Sequence, residues 1–207
     1  MDTAKTWAKR MVWIVLVSII LILVRSAPAA QFGFRESFGG AGTGGWGGGT
    51  PSTNPGTGGV GGSGDGYLSV SSGFATNFGV RNSSAPYSGD WNTAGITRVS
   101  FHLNDIGADE NFEFHLLISD PDGSFGTSWQ YNTGFAPPNG SWQRYEVDLT
   151  DASKWTRIRG AGSLEAVLSN VGTMHFRHDR APYSAFPDSI AGTLGIDEIF
   201  LGPDCNG

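Results

Sequence analysis

The chain has 207 residues, with 13 basic and 19 acidic side chains and a net charge of −6. An acidic chain lacks the basic surface that nucleic acid or an anionic membrane requires, so neither is expected as a partner. Its length suits one well-buried domain and is short for two.

The first thirty residues read as an export signal. Lys5, Lys9 and Arg10 precede an apolar run from Met11 to Val24, interrupted only by Ser18, and the small residues Ala27-Pro28-Ala29-Ala30 follow. A positive start, a short apolar stretch and small residues at a cleavage site make a secretory leader. A membrane-spanning helix needs about 20 apolar residues, more than this run supplies. Cleavage is expected after Ala29 or Ala30, with the mature protein secreted or at the cell surface and without stable membrane insertion. Losing residues 1–30 removes Lys5, Lys9, Arg10, Arg25 and Asp2, which leaves a net charge of −9. The expected organisation is a signal at 1–30, one β-sandwich domain over 31–203 and a tail at 204–207. Cys205 is the sole cysteine, so an internal disulfide is excluded and the domain must rely on its core.

Residues 39–66 are dominated by glycine, with Trp46 and Val60 as the only sizeable apolar anchors. Glycine-rich chain resists regular structure. Phe34–Phe38 before it reads as a strand, so the segment is expected to be a long loop inside one domain. Further strands are expected at 67–71, 96–103, 112–119, 142–149, 164–168, 173–178 and 195–201. Ser88-Gly89-Asp90, Pro121-Asp122-Gly123, Pro137-Pro138-Asn139-Gly140 and Ala181-Pro182 punctuate them as turns. No long helical repeat occurs. Short strands at close spacing predict an all-β fold, an antiparallel β-sandwich of the jelly-roll type.

Two carboxylates fall at apolar positions. Glu36 lies between Phe34 and Phe38 at strand spacing, and Asp197 shares the parity of Ile199 and Leu201. A buried unpaired carboxylate costs several kcal/mol, and a hard cation removes that cost by taking carboxylate and carbonyl oxygens together. Glu36 and Asp197 are therefore the expected ligands of a structural calcium ion. The alternatives are a bulge that turns either acid outward, or pairing with Arg35 or Arg177.

Other chemistry is weaker. Glu146, Asp148 and Asp151 resemble the acidic strand of one class of β-sandwich glycoside hydrolase. Retaining hydrolysis needs two carboxyls about 5–5.5 Å apart, and residues 146 and 151 fall on opposite faces of a regular strand. Asp120-Pro121-Asp122-Gly123 reads as a hairpin turn rather than a cation loop. His175 and His178, three apart, face opposite ways. Ser153-Lys154-Trp155 with Arg157 and Arg159 forms a small basic and aromatic cluster of the kind that holds sugars or acidic polymers. Asn82-Ser83-Ser84 and Asn139-Gly140-Ser141 match glycosylation sequons, which matter only in a eukaryotic host. An enzyme is not expected.

Sugar recognition uses flat aromatic faces with sparse polar groups. After the leader, the tryptophans are Trp46, Trp91, Trp129, Trp142 and Trp155. Trp129 and Tyr131 alternate onto one strand face, with Gln130 and Asn132 opposite, and form the expected ligand platform. Trp91, after Gly89-Asp90, is expected at a loop as a further contact.

The order Glu36-Ser37-Phe38, a Gly-rich loop, Gly66-Tyr67-Leu68, Tyr87-Ser88-Gly89-Asp90-Trp91, Ile96–Phe101, Leu116–Ser119, Trp142, His175–Asp179 and Gly195–Ile199 resembles a known group. It is similar to secreted bacterial domains related to the laminin domain IV (laminin B) module and to galactose-binding-like jelly rolls, over about residues 34–202. The resemblance implies an extracellular, non-catalytic module, carbohydrate-binding in some relatives, with a structural calcium ion near the two chain ends. Asp204-Cys205-Asn206-Gly207 resembles the start of the Asp-Cys-Asn-Gly repeats of planctomycete-type exported proteins. The function expected is binding of a polysaccharide, cell-surface glycan or extracellular matrix. A structural or adhesive role with a protein partner is the alternative.

Overall fold

The computed structural model describes residues 30–107, 110–122 and 126–203. The leader and the tail at 204–207 lie outside the described residues. Eleven strands, two short helices and one 3-10 turn are present among the described residues. The strands are β1 (Phe34–Glu36), β2 (Ser52–Thr53), β3 (Leu68–Asn77), β4 (Gly79–Asn82), β5 (Arg98–Asp105), β6 (Phe114–Ser119), β7 (Ser128–Tyr131), β8 (Gln143–Asp148), β9 (Trp155–Arg159), β10 (Thr173–His178) and β11 (Ser189–Gly202). The helices are α1 (Trp91–Ala94) and α2 (Leu164–Leu168). No described helix is long and apolar enough to cross a membrane.

All pairings between the strands are antiparallel, and they build two sheets. One runs β2-β3-β11-β5-β8, with β1 also on β11, and the other runs β4-β10-β6-β7-β9. β11 is long enough to hold β3 along Ser189–Ile196 and β1 along Ile199–Leu201. The fold is an antiparallel β-sandwich of the jelly-roll kind.

Alternation explains the layers. Val99, Phe101 and Leu103 of β5, Leu116 and Ile118 of β6, and Met174 and Phe176 of β10 are all fully buried. Phe101 and Phe176 meet between the sheets with ring centroids 4.7 Å apart. Burying a side chain of this size stabilises the fold by about 1.5–3 kcal/mol.

The Gly-rich segment lies between β1 and β3 and packs on the sandwich. Trp46 is buried and donates from Nε1 to the Tyr87 hydroxyl at 3.3 Å. Residues 164–168 form a helix rather than the expected strand. Ser163 caps it, its hydroxyl accepting from Ala166 N at 3.1 Å. Leu164, Val167 and Leu168 then fall on one buried face at helical spacing. The short apolar run fits either period, and the cap decides it.

Candidate functional site

The sequence-expected platform is a core feature. Trp129 and Tyr131 do share a face of β7, but that face looks between the sheets. Tyr131 is only 7% exposed and packs against Phe135 and Trp155. Trp129 is half-buried against the core, donates to Gly162 O at 3.1 Å and carries Arg157 over its ring. Trp91 is 0% exposed and opens α1, its indole bonded to Tyr87 O at 3.1 Å. Asp90 caps that turn by accepting from Thr93 N, which draws the Trp91 ring into the interior. None of the three forms a surface platform.

The expected cation pair is also separated. Glu36 lies opposite Ile199, on the core-facing side of β1. Asp197 lies opposite His102, on the outer side of β11. A bulge intervenes: the register shifts between Asp197 and Phe200, and Glu198 takes a positive φ of 50°. The extra residue reverses the parity that strict alternation assigns to Asp197. Glu36 Oε1 accepts from Phe38 N at 3.2 Å. Asp197 is fully buried beneath the Gly-rich loop, Oδ2 accepting from Val60 N at 2.8 Å and Oδ1 from Glu198 N at 2.7 Å. Burial pushes its carboxyl up to about 6, against those two N–H groups, with the Asp65 and Glu198 charges adding to the rise. Among the described residues no three His, Cys, Asp or Glu side chains gather as a metal set. Glu36 and Asp197 thus lie on opposite faces of their sheet rather than side by side. Arg35 and Arg177 are engaged elsewhere, with Glu198 and Asp179.

The acids weighed for hydrolysis are likewise occupied. Glu146 meets Arg98 at 3.1 Å and Arg144 at 2.8 Å, and Asp148 meets Lys154 at 3.2 Å. Asp151 caps the 3-10 turn at Ala152–Lys154.

A groove of about 530 Å³ does exist, on the outer face of the five-stranded sheet. Register places its floor in rows. Arg81, His175 and Leu117 follow one another across β4, β10 and β6. Thr173, Ser119, Ser128 and Arg159 form the neighbouring row. Five strands span roughly 19 Å at the ordinary spacing between strands. One wall is the Gly-rich loop at Gly48 and Gly49, and the other is the segment Ala185-Phe186-Pro187. Two glycines make the close approach: a Cβ at Gly49 would stand 2.3 Å from Gly79 O, and one at Gly79 would stand 2.6 Å from His175 Nε2.

Arg177 fixes the second wall. It is 1% exposed, and its guanidinium donates to Ser184 O at 2.8 Å and Phe186 O at 2.7 Å. Its counter-charge is Asp179, at 2.9 Å and fully buried. That contact is electrostatic rather than a well-aligned hydrogen bond, since neither Asp179 oxygen has a partner of good geometry. Burial raises the Asp179 carboxyl, while Arg177 and Gln130 draw it back down. Held this way, Phe186 projects into solvent at the groove, 71% exposed. His175 on the floor is pushed down to about 3 by burial and then by the Arg177 and Arg81 charges, so it is a neutral hydrogen-bonding group at ordinary pH. His178, three residues on, is buried on the opposite side with its Nδ1 at Glu113 O.

The groove thus offers an open aromatic ring, hydroxyls, a neutral imidazole and guanidinium groups along one track. Sequence reading passed over it. The polar alternates on β6, β7 and β10 were legible as an outward face, but nothing in a strand's period says that loops wall that face into a groove.

No protein-family model matches the chain, and no curated protein matches it. Solved structures do. The family 11 carbohydrate-binding module from Clostridium thermocellum, in complex with a beta-1,3-1,4-mixed-linked tetrasaccharide, is 19% identical, with a TM-score of 0.51 over 84% of this chain and 97% of that one. The CBM22-1 xylan-binding domain of Paenibacillus barcinonensis Xyn10C is 12% identical, with a TM-score of 0.51 over 84% and 97%. An exo-beta-agarase is 17% identical at a TM-score of 0.54, over 77% of this chain and 23% of the agarase. The fold is the jelly roll seen in carbohydrate-binding modules.

Proposed function

We propose that this protein is a non-catalytic carbohydrate-binding module that takes a polysaccharide along the groove of the five-stranded sheet. The observation that carries the reading is the groove itself. A stacking ring, Phe186, stands beside a floor of hydroxyl, imidazole and guanidinium groups, the mixture that suits pyranose faces and their hydroxyls. The fold supports it, since similar structures include a xylan-binding domain and a module in complex with a tetrasaccharide. The leader-like sequence at 1–30 supports action outside the cell, where polysaccharides are met.

Affinity electrophoresis of the purified protein through gels containing xylan, mixed-linkage glucan, agarose and acidic polysaccharides tests this. Retardation by at least one polymer, weakened in Phe186→Ala, is the expected result. A folded protein that runs unretarded in every gel overturns the reading.

A further inference from the structure

We infer that the groove selects an anionic glycan, one whose carboxylate or sulfate group is held by Arg81, over a neutral chain of the same backbone. This rests on the carbohydrate-binding reading and names the class of polysaccharide.

The charge distribution carries it. The chain is acidic overall, at −6, yet among the described residues every charged side chain lining the groove is an arginine: Arg81, Arg159 and Arg177. Among the described residues, no acidic side chain lines it. Arg177 is buried and already neutralised by Asp179. The nearby Asp188 accepts from Arg180 N at 2.8 Å and adds its charge to that of Asp179 in offsetting Arg177. Arg159, at the far edge strand, spends its Nε on Gly126 O at 3.2 Å.

Arg81 differs from both. It is exposed on β4, and its side chain has no hydrogen bond or ion pair among the described residues. Its guanidinium lies over Gly48, where an added Cβ would stand 2.8 Å from Nε. The glycine leaves room for the head group beside the groove floor. His175 next to it stays neutral chiefly through burial, with the Arg177 and Arg81 charges adding to the effect. An arginine fork fits carboxylate and sulfate oxygens with two parallel N–H donors, and such charge-assisted bonds are about twice as strong as neutral ones. A neutral glycan would leave that fork to water. In an acidic protein, an acid-free groove with an unpartnered arginine is a site for the opposite charge.

Matched pairs of ligands test this by calorimetry: unsubstituted xylan oligomers against glucuronic-acid-substituted ones, and agarose oligomers against their sulfated counterparts. The charged member of at least one pair should bind about tenfold tighter or more, the size of one charge-assisted contact. The arm that responds identifies carboxylate or sulfate. The preference should shrink between about 0.05 and 0.5 M salt as screening shortens, and in Arg81→Gln the ratio of charged to neutral affinity should fall to about one. Phe186→Ala should weaken both members alike. Equal affinity for charged and neutral members, unmoved by Arg81→Gln, overturns the charge inference while leaving the binding reading in place. No binding by any oligomer, from folded protein, overturns the binding reading itself.

Discussion

Arg177 holds the main-chain carbonyl of Phe186 at 2.7 Å, and with it the orientation of the exposed phenyl ring at the groove. The same guanidinium also reaches Ser184 O and lies against Asp179. A lysine cannot make that fan of contacts, because its ammonium is a point charge without a planar fork. Arg177→Met leaves Asp179 buried without its counter-charge, and breaking such a pair costs about 3–5 kcal/mol. Arg177→Met should therefore lower Tm strongly. Arg177→Lys should lower it less while still weakening polysaccharide retention, because the 184–186 wall loosens. Retention unchanged in folded Arg177→Lys would show that the wall does not set the site.

The aromatic side chains divide into two groups with opposite phenotypes. Tyr131 and Trp91 are interior, so truncating either to alanine should cost about 3–5 kcal/mol of stability. Phe186 is exposed, so Phe186→Ala should leave Tm within about a degree or two and act on affinity instead. Thermal melts paired with affinity electrophoresis separate the two. A Trp129→Ala or Tyr131→Ala protein that keeps its Tm and loses retention would restore the strand-face platform.

Much of the architecture was legible because the strands are ordinary ones. Phe114, Leu116 and Ile118 of β6, like Met174 and Phe176 of β10, recur at the two-residue strand period, although β6 is buried on both faces. Four features escaped for physical reasons. The bulge at Glu198 inverted the face of Asp197, and nothing in Ile196-Asp197-Glu198-Ile199 signals one extra residue. Ser163 turned an apolar run into a helix through a single capping bond. β2, β4 and β9 lack strong alternation and exist because neighbouring strands accept them. The groove depends on Arg177 meeting carbonyls seven to nine residues away, across a segment that reads only as a loop.

Asp197 gives the fold a definite pH dependence. Its folded carboxyl is pushed up to about 6 from an ordinary 3.8, chiefly by burial. Between those values the native state holds the proton that the unfolded chain has released. Stability therefore falls as pH rises from about 4 to about 6, and the loss is complete above that window. The full effect is at most about 3 kcal/mol. Asp197→Asn should flatten this slope. At pH 7 it should raise stability by about 1–2 kcal/mol, since the amide gives up one of the two N–H contacts, worth about 1 kcal/mol. Denaturant melts at about pH 4, 5, 6 and 7 read this directly. A mutant less stable than wild type at pH 7 would place the carboxylate as a favourable charge instead.

Glu36 and Asp197 face opposite sides of their sheet, so they should behave as independent sites. The stability changes of Glu36→Gln and Asp197→Asn should add in the double mutant to within about 0.5 kcal/mol. Tm should agree in excess calcium and in EDTA, because a ligand bound only to the native state would separate the two values by mass action. Coupling of more than about 1 kcal/mol, together with a calcium-dependent rise in Tm that both single mutants abolish, would mean that the two carboxylates share a cation after all. A rise abolished by Asp197→Asn and retained in Glu36→Gln would locate the ion on the outer face, where Asp65 and Asp197 approach one another under Gly59.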